Sequence, residues 1–383
     1  MMKKTLLAAA LLAGFSSVAG AETSVTLYGI ADAGYSYQNF KYDRNGADLT
    51  AKSSGLRDGT LNGSRFGLKG SEDLGGGLRA IFQLEQGFDI GTGEGSGGFS
   101  RQSFLGLSSD DWGTFTMGRQ YSAGVDTFLV DNGFNMGDAD KAFGSTGTNE
   151  GNRVENSFKY TSPSLSGFQA IVMYGTGDSG KSTPDGYVAS TTVGRDNGAS
   201  FSDRGSRVSV GVLYAGGPVS AGASYDRQSV DGNDLGGGDA SAAVNWQING
   251  AYDFEVVKLS LAYGQDRHGK IGWGGSVEDF ADFSGLGMGN FFGTDFKSNN
   301  YHVALSAPVG GGTLYAGWGY STSNANDLAA GDLYGSISTY HVNYVYPLSK
   351  RTSVYGYGTY GRNLAYVRDL KGTEAGIGLS HNF

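Results

Sequence analysis

"SRFGLKGSEDLGGGLRAIFQLEQGF", residues 64–88, reads as two alternating stretches hinged on a run of glycines. In the first, Arg65 and Lys69 fall on one face, and Phe66 and Leu68 on the other. In the second, Leu78, Ala80, Phe82 and Leu84 oppose Arg79, Ile81, Gln83 and Glu85. A helix would scatter these polar residues round its circumference, whereas a strand collects them on one side. "DLGGG" (73–77) provides the turn between them. The stretch is an antiparallel hairpin with a charged face and an apolar one.

The same period of two runs through the chain. "AAVNWQINGAYDF" sets Val244, Trp246, Ile248 and Tyr252 against Asn245, Gln247, Asn249 and Asp253. "RVENSFKY" sets Arg153, Glu155, Ser157 and Lys159 against Val154, Asn156, Phe158 and Tyr160. A soluble sandwich could alternate in this way with its apolar faces inward. Two features oppose it: the polar faces carry arginines and glutamates, and the apolar faces are rich in aromatics near strand ends, as in the girdles of membrane barrels.

Connections alternate in length. Short turns occur at 73–77, 108–113, 162–167, 214–220, 253–257, 306–312 and 346–352. Longer Gly/Asn/Asp/Ser segments occupy roughly 39–62, 89–99, 122–152, 176–205, 227–239, 265–298, 322–335 and 362–372. Seven turns joining eight long-loop hairpins predict an all-β, 16-stranded antiparallel transmembrane β-barrel, an even number as in single-chain bacterial barrels. Closure is required because a bilayer offers no water to an open sheet edge.

Composition agrees. The 383 residues contain 67 glycines, 5 prolines, 23 tyrosines, 21 phenylalanines and no cysteine. Glycine lies far above the roughly 7% of ordinary chains, and thiolate chemistry is excluded. The N-terminus, Lys3 and Lys4 followed by "TLLAAALLAGF" and "AGA" at 19–21, has the three parts of a secretory signal peptide. Residues 1–21 are the expected leader and 22–383 the barrel domain. Losing Lys3 and Lys4 takes the net charge from −9 to −11, which argues against general nucleic-acid binding.

"SVTLYGIADAGY" (24–35), the 64–88 hairpin, "RQSFLGL" (101–107), "GTFTMGRQY" (113–121) and the ending "GIGLSHNF" (376–383) resemble the trimeric general porins of Gram-negative, especially beta-proteobacterial, outer membranes. "EDLGGGL" and the terminal Phe383 are the most specific parts of the likeness. It implies sixteen strands, a homotrimer, a third loop folded into the lumen, contact with outer-membrane lipid and lipopolysaccharide, and delivery by the barrel-assembly machinery. Phe383 resembles the terminal aromatic that this machinery reads, with Leu379 and His381 on the same face of the last strand.

A porin's chemistry is electrostatic filtering by charges at a narrow point. In similar porins three arginine positions cluster on the constriction wall, and Arg65, Arg101 and Arg153 match them by local motif, with Glu85 as an acidic neighbour. Residues 122–152 form the candidate constriction loop, carrying Asp126, Asp131, Asp138, Asp140 and Glu150 against Lys141. Wall arginines facing loop carboxylates would set a transverse field across the path. Lys69, Arg119, Glu155 and Lys159 are candidate pore-lining residues, with Arg119 and Tyr121 equally suited to a salt bridge at the rim. Tyr340, Tyr344 and Tyr346 read as outward girdle residues rather than sugar platforms. The expected function is a water-filled channel for ions and small hydrophilic solutes, weakly anion-preferring. A substrate-selective channel for a small organic acid or sugar is the alternative.

"GTGDSGKST" (175–183) also satisfies the P-loop pattern behind the apolar "FQAIVMY". A P-loop must open a helix, and Pro184 and Gly186 forbid one. The stretch reads as the exit of a strand into a surface loop. The four histidines are dispersed, with no serine elbow or His-Glu motif beside them. No enzyme, cofactor or metal is expected.

Overall fold

The turn at the centre of the 64–88 hairpin is made by Gly75, Gly76 and Gly77, at φ +87°, +61° and +77°. Side-chain-bearing residues rarely adopt that geometry. It folds Arg65–Gly75 onto Leu78–Gly87, pairing Phe66 with Gln86 and Lys69 with Gln83. Repetition of this unit builds the whole molecule. The structure, a computed structural model, describes residues 23–44, 47–129, 153–176, 206–229, 242–268, 296–328 and 334–383.

The strands of the first half are β1 (Thr23–Arg44), β2 (Ala47–Asp58), β3 (Arg65–Gly75), β4 (Leu78–Gly87), β5 (Ser103–Ser109), β6 (Gly113–Tyr121), β7 (Arg153–Thr161) and β8 (Phe168–Gly175). Those of the second half are β9 (Arg207–Gly216), β10 (Val219–Ser229), β11 (Ala242–Asp253), β12 (Lys258–Arg267), β13 (Lys297–Val309), β14 (Gly312–Ser323), β15 (Ile337–Pro347), β16 (Thr352–Arg362) and β17 (Leu370–Asn382). Among the described residues the connections include two one-turn α-helices, α1 (Ala123–Asp126) and α2 (Ala325–Leu328).

Consecutive strands pair antiparallel, except β2 with β3, which both pair with β1, and β1 pairs with β17 to close the ring. The seventeen segments fill sixteen places, because β2 and β3 are two halves of one barrel strand. β1 pairs with β3 through Thr23–Ile30 and with β2 through Ala33–Arg44. All seven short turns lie where they are expected. The segment 39–62 differs: most of it is a strand hairpin, Ala33–Arg44 against Ala47–Asp58. Its polar composition reads as loop, yet ladder hydrogen bonds hold it and Phe40 and Tyr42 turn inward.

Side-chain alternation sorts the two faces. Val172, Tyr174, Ile248, Leu305 and Val342 are exposed on the outside, while Asn245, Gln247 and Asn300 are buried inside. In a bilayer the exposed apolar band meets lipid. The alternation through "RVENSFKY" is interrupted. The ladder passes from Gly118↔Ser157 to Gln120↔Val154, so two residues of β7 oppose one of β6, and Asn156 takes φ 47°. The extra residue changes the parity of the faces. Beyond the bulge Val154 pairs with Gln120 and Arg153 with Tyr121.

The interior is not empty of backbone. Residues 122–129 leave β6 and lie against the inner wall. Ala123 N–H donates to Ser209 Oγ at 2.8 Å, Gln247 Nε2 to Gly124 O at 2.7 Å, and Leu129 N–H to Asn249 Oδ1 at 3.0 Å. This is the start of the third loop, folded into the lumen. Ile171 and Met173, the apolar interruption on the inner face of β8, are buried on the wall where α1 packs. A second apolar cluster, including Phe40, Phe296, Ile337, Leu364, Tyr366 and Leu370, lies where β1, β13, β15 and β17 approach the long-loop end.

Candidate functional site: a basic cluster on the inner wall

Tyr28, Gly67 and Glu85 form one cross-strand row on β1, β3 and β4, because β3 pairs with both neighbours at Gly67. Tyr28 O–H donates to Glu85 Oε2 at 3.0 Å and accepts from Gln83 Nε2 at 2.7 Å. Lys69, one row away, lies over the Tyr28 ring at 5.3 Å. Arg101 precedes β5, and its backbone N–H bonds to Glu85 O. That contact brings Arg101 Nε to 2.7 Å from Glu85 Oε1, a pair largely shielded from solvent. An ionised pair so held forms a short, charge-assisted hydrogen bond.

Arg65 is buried at the head of β3, its Nε donating to Gly63 O at 2.8 Å. Arg153 heads β7 with its guanidinium over the Tyr121 ring at 4.4 Å, and its Nη2 donates to Tyr121 Oη at 2.5 Å. Both Arg65 and Arg153 interact electrostatically with Arg101, Glu85 and Tyr121. The fold therefore gathers three arginines from three separate strand positions round one glutamate.

Arg119, which also interacts electrostatically with Arg153, and Lys159 each hold a carboxylate of their own. Arg119 pairs with Glu155 at 2.6 Å and donates through Nε to Ser100 O. Lys159 pairs with Asp126 at 2.6 Å and also donates to Tyr121 O. Burial pushes the Asp126 carboxyl above its ordinary range, and the Lys159 ammonium opposes that rise. Asp131, Asp138, Asp140, Lys141 and Glu150 lie outside the described residues. Leu379 and Phe383 are exposed at the end of the last strand, and His381 shares a hydrogen bond with Thr352. Tyr340 and Tyr346 face outward.

Several inner-wall groups escape a sequence reading. Arg207 and Asp226 form a buried pair at 2.8 Å between β9 and β10. Asp266 accepts from Asn245, Ser298 and Asn300 across β11 to β13. Arg207 heads its strand just as Arg153 does, which was the available signal. Its partner emerges only from the register of β9 on β10.

The P-loop match begins at Gly175, the end of a strand paired antiparallel on both sides, and continues into residues outside the described ones.

The family model described as "Gram-negative porin" matches residues 8–365. The chain belongs to the Gram-negative porin family. Over its full length it is 38% identical to the full length of an outer membrane porin protein of Bordetella pertussis. It is 31% identical to outer membrane porin protein 32 of Delftia acidovorans, across 98% of this chain and 92% of that one. Among solved structures, an anion-selective porin from Comamonas acidovorans aligns with a TM-score of 0.67 and 26% identity, covering 94% of this chain and 100% of that one. The protein is thus an outer-membrane porin of a Gram-negative cell, and its family and fold are those of a passive channel rather than an enzyme.

Proposed function

We propose that this porin is a general diffusion channel with weak anion preference. The observation that carries the reading is the gathering of Arg65, Arg101 and Arg153 round Glu85, which leaves the cluster with an excess of positive charge. In a narrow aqueous path bounded by low-dielectric walls, such an excess raises the local concentration of anions. The printed description of the Comamonas structure as anion-selective supports the same sign. Asp126 contributes little opposing field, since Lys159 neutralises it. Asp131, Asp138 and Asp140 would supply the opposite side of the eyelet. Lys69 would line the path. Arg119 and Glu155 would act at the rim as a neutral pair.

The working unit would be a homotrimer set in outer-membrane lipid and lipopolysaccharide. Residues 1–21 would be removed on export, and Leu379, His381 and Phe383 would be read by the barrel-assembly machinery.

The test is reconstitution in a planar bilayer with the reversal potential read across a potassium chloride gradient. Chloride permeability should exceed potassium permeability, and Arg65→Gln, Arg101→Gln and Arg153→Gln should each move the ratio toward cations. Cation preference in the wild type, or a ratio unmoved by all three substitutions, would remove these arginines from the path.

A further inference from the structure

The break between β2 and β3 is a built feature of the lumen. At Asp58 the chain leaves the wall, arches inward through 59–64 and rejoins the wall at Arg65. The arch converges on one side chain, Asp32, which lies fully buried on the inner face of β1. Leu61 N–H points at Asp32 Oδ1 at 3.4 Å and Asn62 N–H at Oδ2 at 3.2 Å. Tyr355 O–H, from β16 across the closing seam, donates to Oδ1 at 2.7 Å. The Asp32 backbone takes part as well. Its carbonyl accepts from Gly59 N–H at 2.9 Å and from Ser64 Oγ at 3.1 Å.

Leu61 is buried against Tyr355 and Tyr357, which seats the crown of the arch in an apolar socket. Gly59 has φ +65°, and a Cβ there would lie 2.7 Å from the Gly63 Cα, so the arch closes tightly upon itself. Among the described residues no cation pairs with Asp32, and every partner named is a neutral donor. A carboxylate satisfied in this way contributes position rather than field.

What the arch positions is Arg65. Its Nε is fixed by the carbonyl of Gly63, one residue past the two amides that Asp32 holds. Arg101 is near the same point: its Nη1 is 3.6 Å from where a Cβ on Gly63 would stand. We infer that Asp32 is a positioning residue for channel selectivity, holding the 59–64 arch so that the Gly63 carbonyl aims Arg65 into the basic cluster. This rests on the reading of that cluster as the selective element.

The inference has a sign that separates it from simple electrostatics. Removing a negative charge from a channel interior should, by its field alone, raise anion preference. If Asp32 acts by position, Asp32→Ala releases the arch, Arg65 leaves the cluster, and anion preference falls. The experiment measures the chloride-to-potassium permeability ratio for Asp32→Ala, Leu61→Ala, Arg65→Gln and the Asp32→Ala/Arg65→Gln double variant. Asp32→Ala and Leu61→Ala should each lower the ratio by about twofold, although Leu61→Ala removes no charge. In the Arg65→Gln background Asp32→Ala should have no further effect, as expected for two residues acting in one unit.

A ratio that rises or stays constant in Asp32→Ala, or an Asp32 effect that persists undiminished without Arg65, overturns the inference. Should Asp32→Ala yield no barrel, Tyr355→Phe, which removes one donor and keeps the ring under Leu61, is read by the same criteria. Arg65→Gln separates the two levels: a shift there with none in Asp32→Ala defeats only the positioning role. No shift in Arg65→Gln removes Arg65 from the selective element and overturns the inference, whereas the cluster's role falls only if Arg101→Gln and Arg153→Gln are silent as well.

Discussion

Glu85 holds the basic cluster together and also subtracts from it. One carboxylate oxygen takes Arg101 at 2.7 Å and the other takes Tyr28 at 3.0 Å. Replacing it by glutamine keeps the shape and one of the two acceptor oxygens, and deletes one negative charge. Glu85→Gln should therefore raise the chloride-to-potassium permeability ratio by about twofold at low salt. The reversal potential reads this directly, and an unchanged value would mean that the Glu85 charge does not reach the ion path. The three arginine positions were picked out by the resemblance of their local motifs to porins. Their mutual approach was not legible, since Arg65, Arg101 and Arg153 are separated by dozens of residues and meet through Tyr121 and Glu85. Nor was the Arg119–Glu155 pair distinguishable from two pore-lining charges, because its formation depends on the β7 bulge.

At the scale of the element, the period of two identifies which face of a strand meets lipid. β8 shows both environments: Val172 points outward and is half exposed, whereas Gln169 faces inward and donates to Ser162 O. Val172→Arg should cost about 2–4 kcal/mol if it lies near the bilayer midplane, whereas Gln169→Arg should change barrel stability little. Unfolding in urea with lipid vesicles compares the two, and equal destabilisation would contradict the assignment of faces. The pattern is less reliable at two kinds of place. In the β1–β2 hairpin both faces carry polar residues, so no apolar alternation marks it, and the strand exists because its backbone pairs. In β7 an extra residue reverses parity, and no single-strand pattern reveals this, because the bulge is defined against its partner β6.

Across the whole molecule, closure depends on the two chain ends meeting. Gly29 N–H bonds to Phe383 O and Phe383 N–H to Gly29 O, both at 3.0 Å, at the end of the β1–β17 ladder. These are backbone bonds, so Phe383→Ala keeps them. It should lower the amount of assembled barrel in the outer membrane while leaving the melting temperature of detergent-refolded barrel nearly unchanged. Deleting Phe383 removes the bonds and should lower both. Heat-modifiable mobility on gels measures assembly, and an assembly level unaffected by Phe383→Ala would deny the terminal ring a role in delivery.

The sequence by itself determined the class of fold, the number of barrel places and the seven short turns. Each of these follows from local rules: alternation within a strand, glycine at positive φ in a turn, and the even strand number of a closed barrel. Only the tertiary structure decided what the lumen contains. The arch at 59–64, the seating of residues 122–129 on the β9–β11 wall and the pairing of Lys159 with Asp126 all join residues distant along the chain. Such contacts depend on register and curvature round a closed ring, and a pattern confined to one strand carries information about neither.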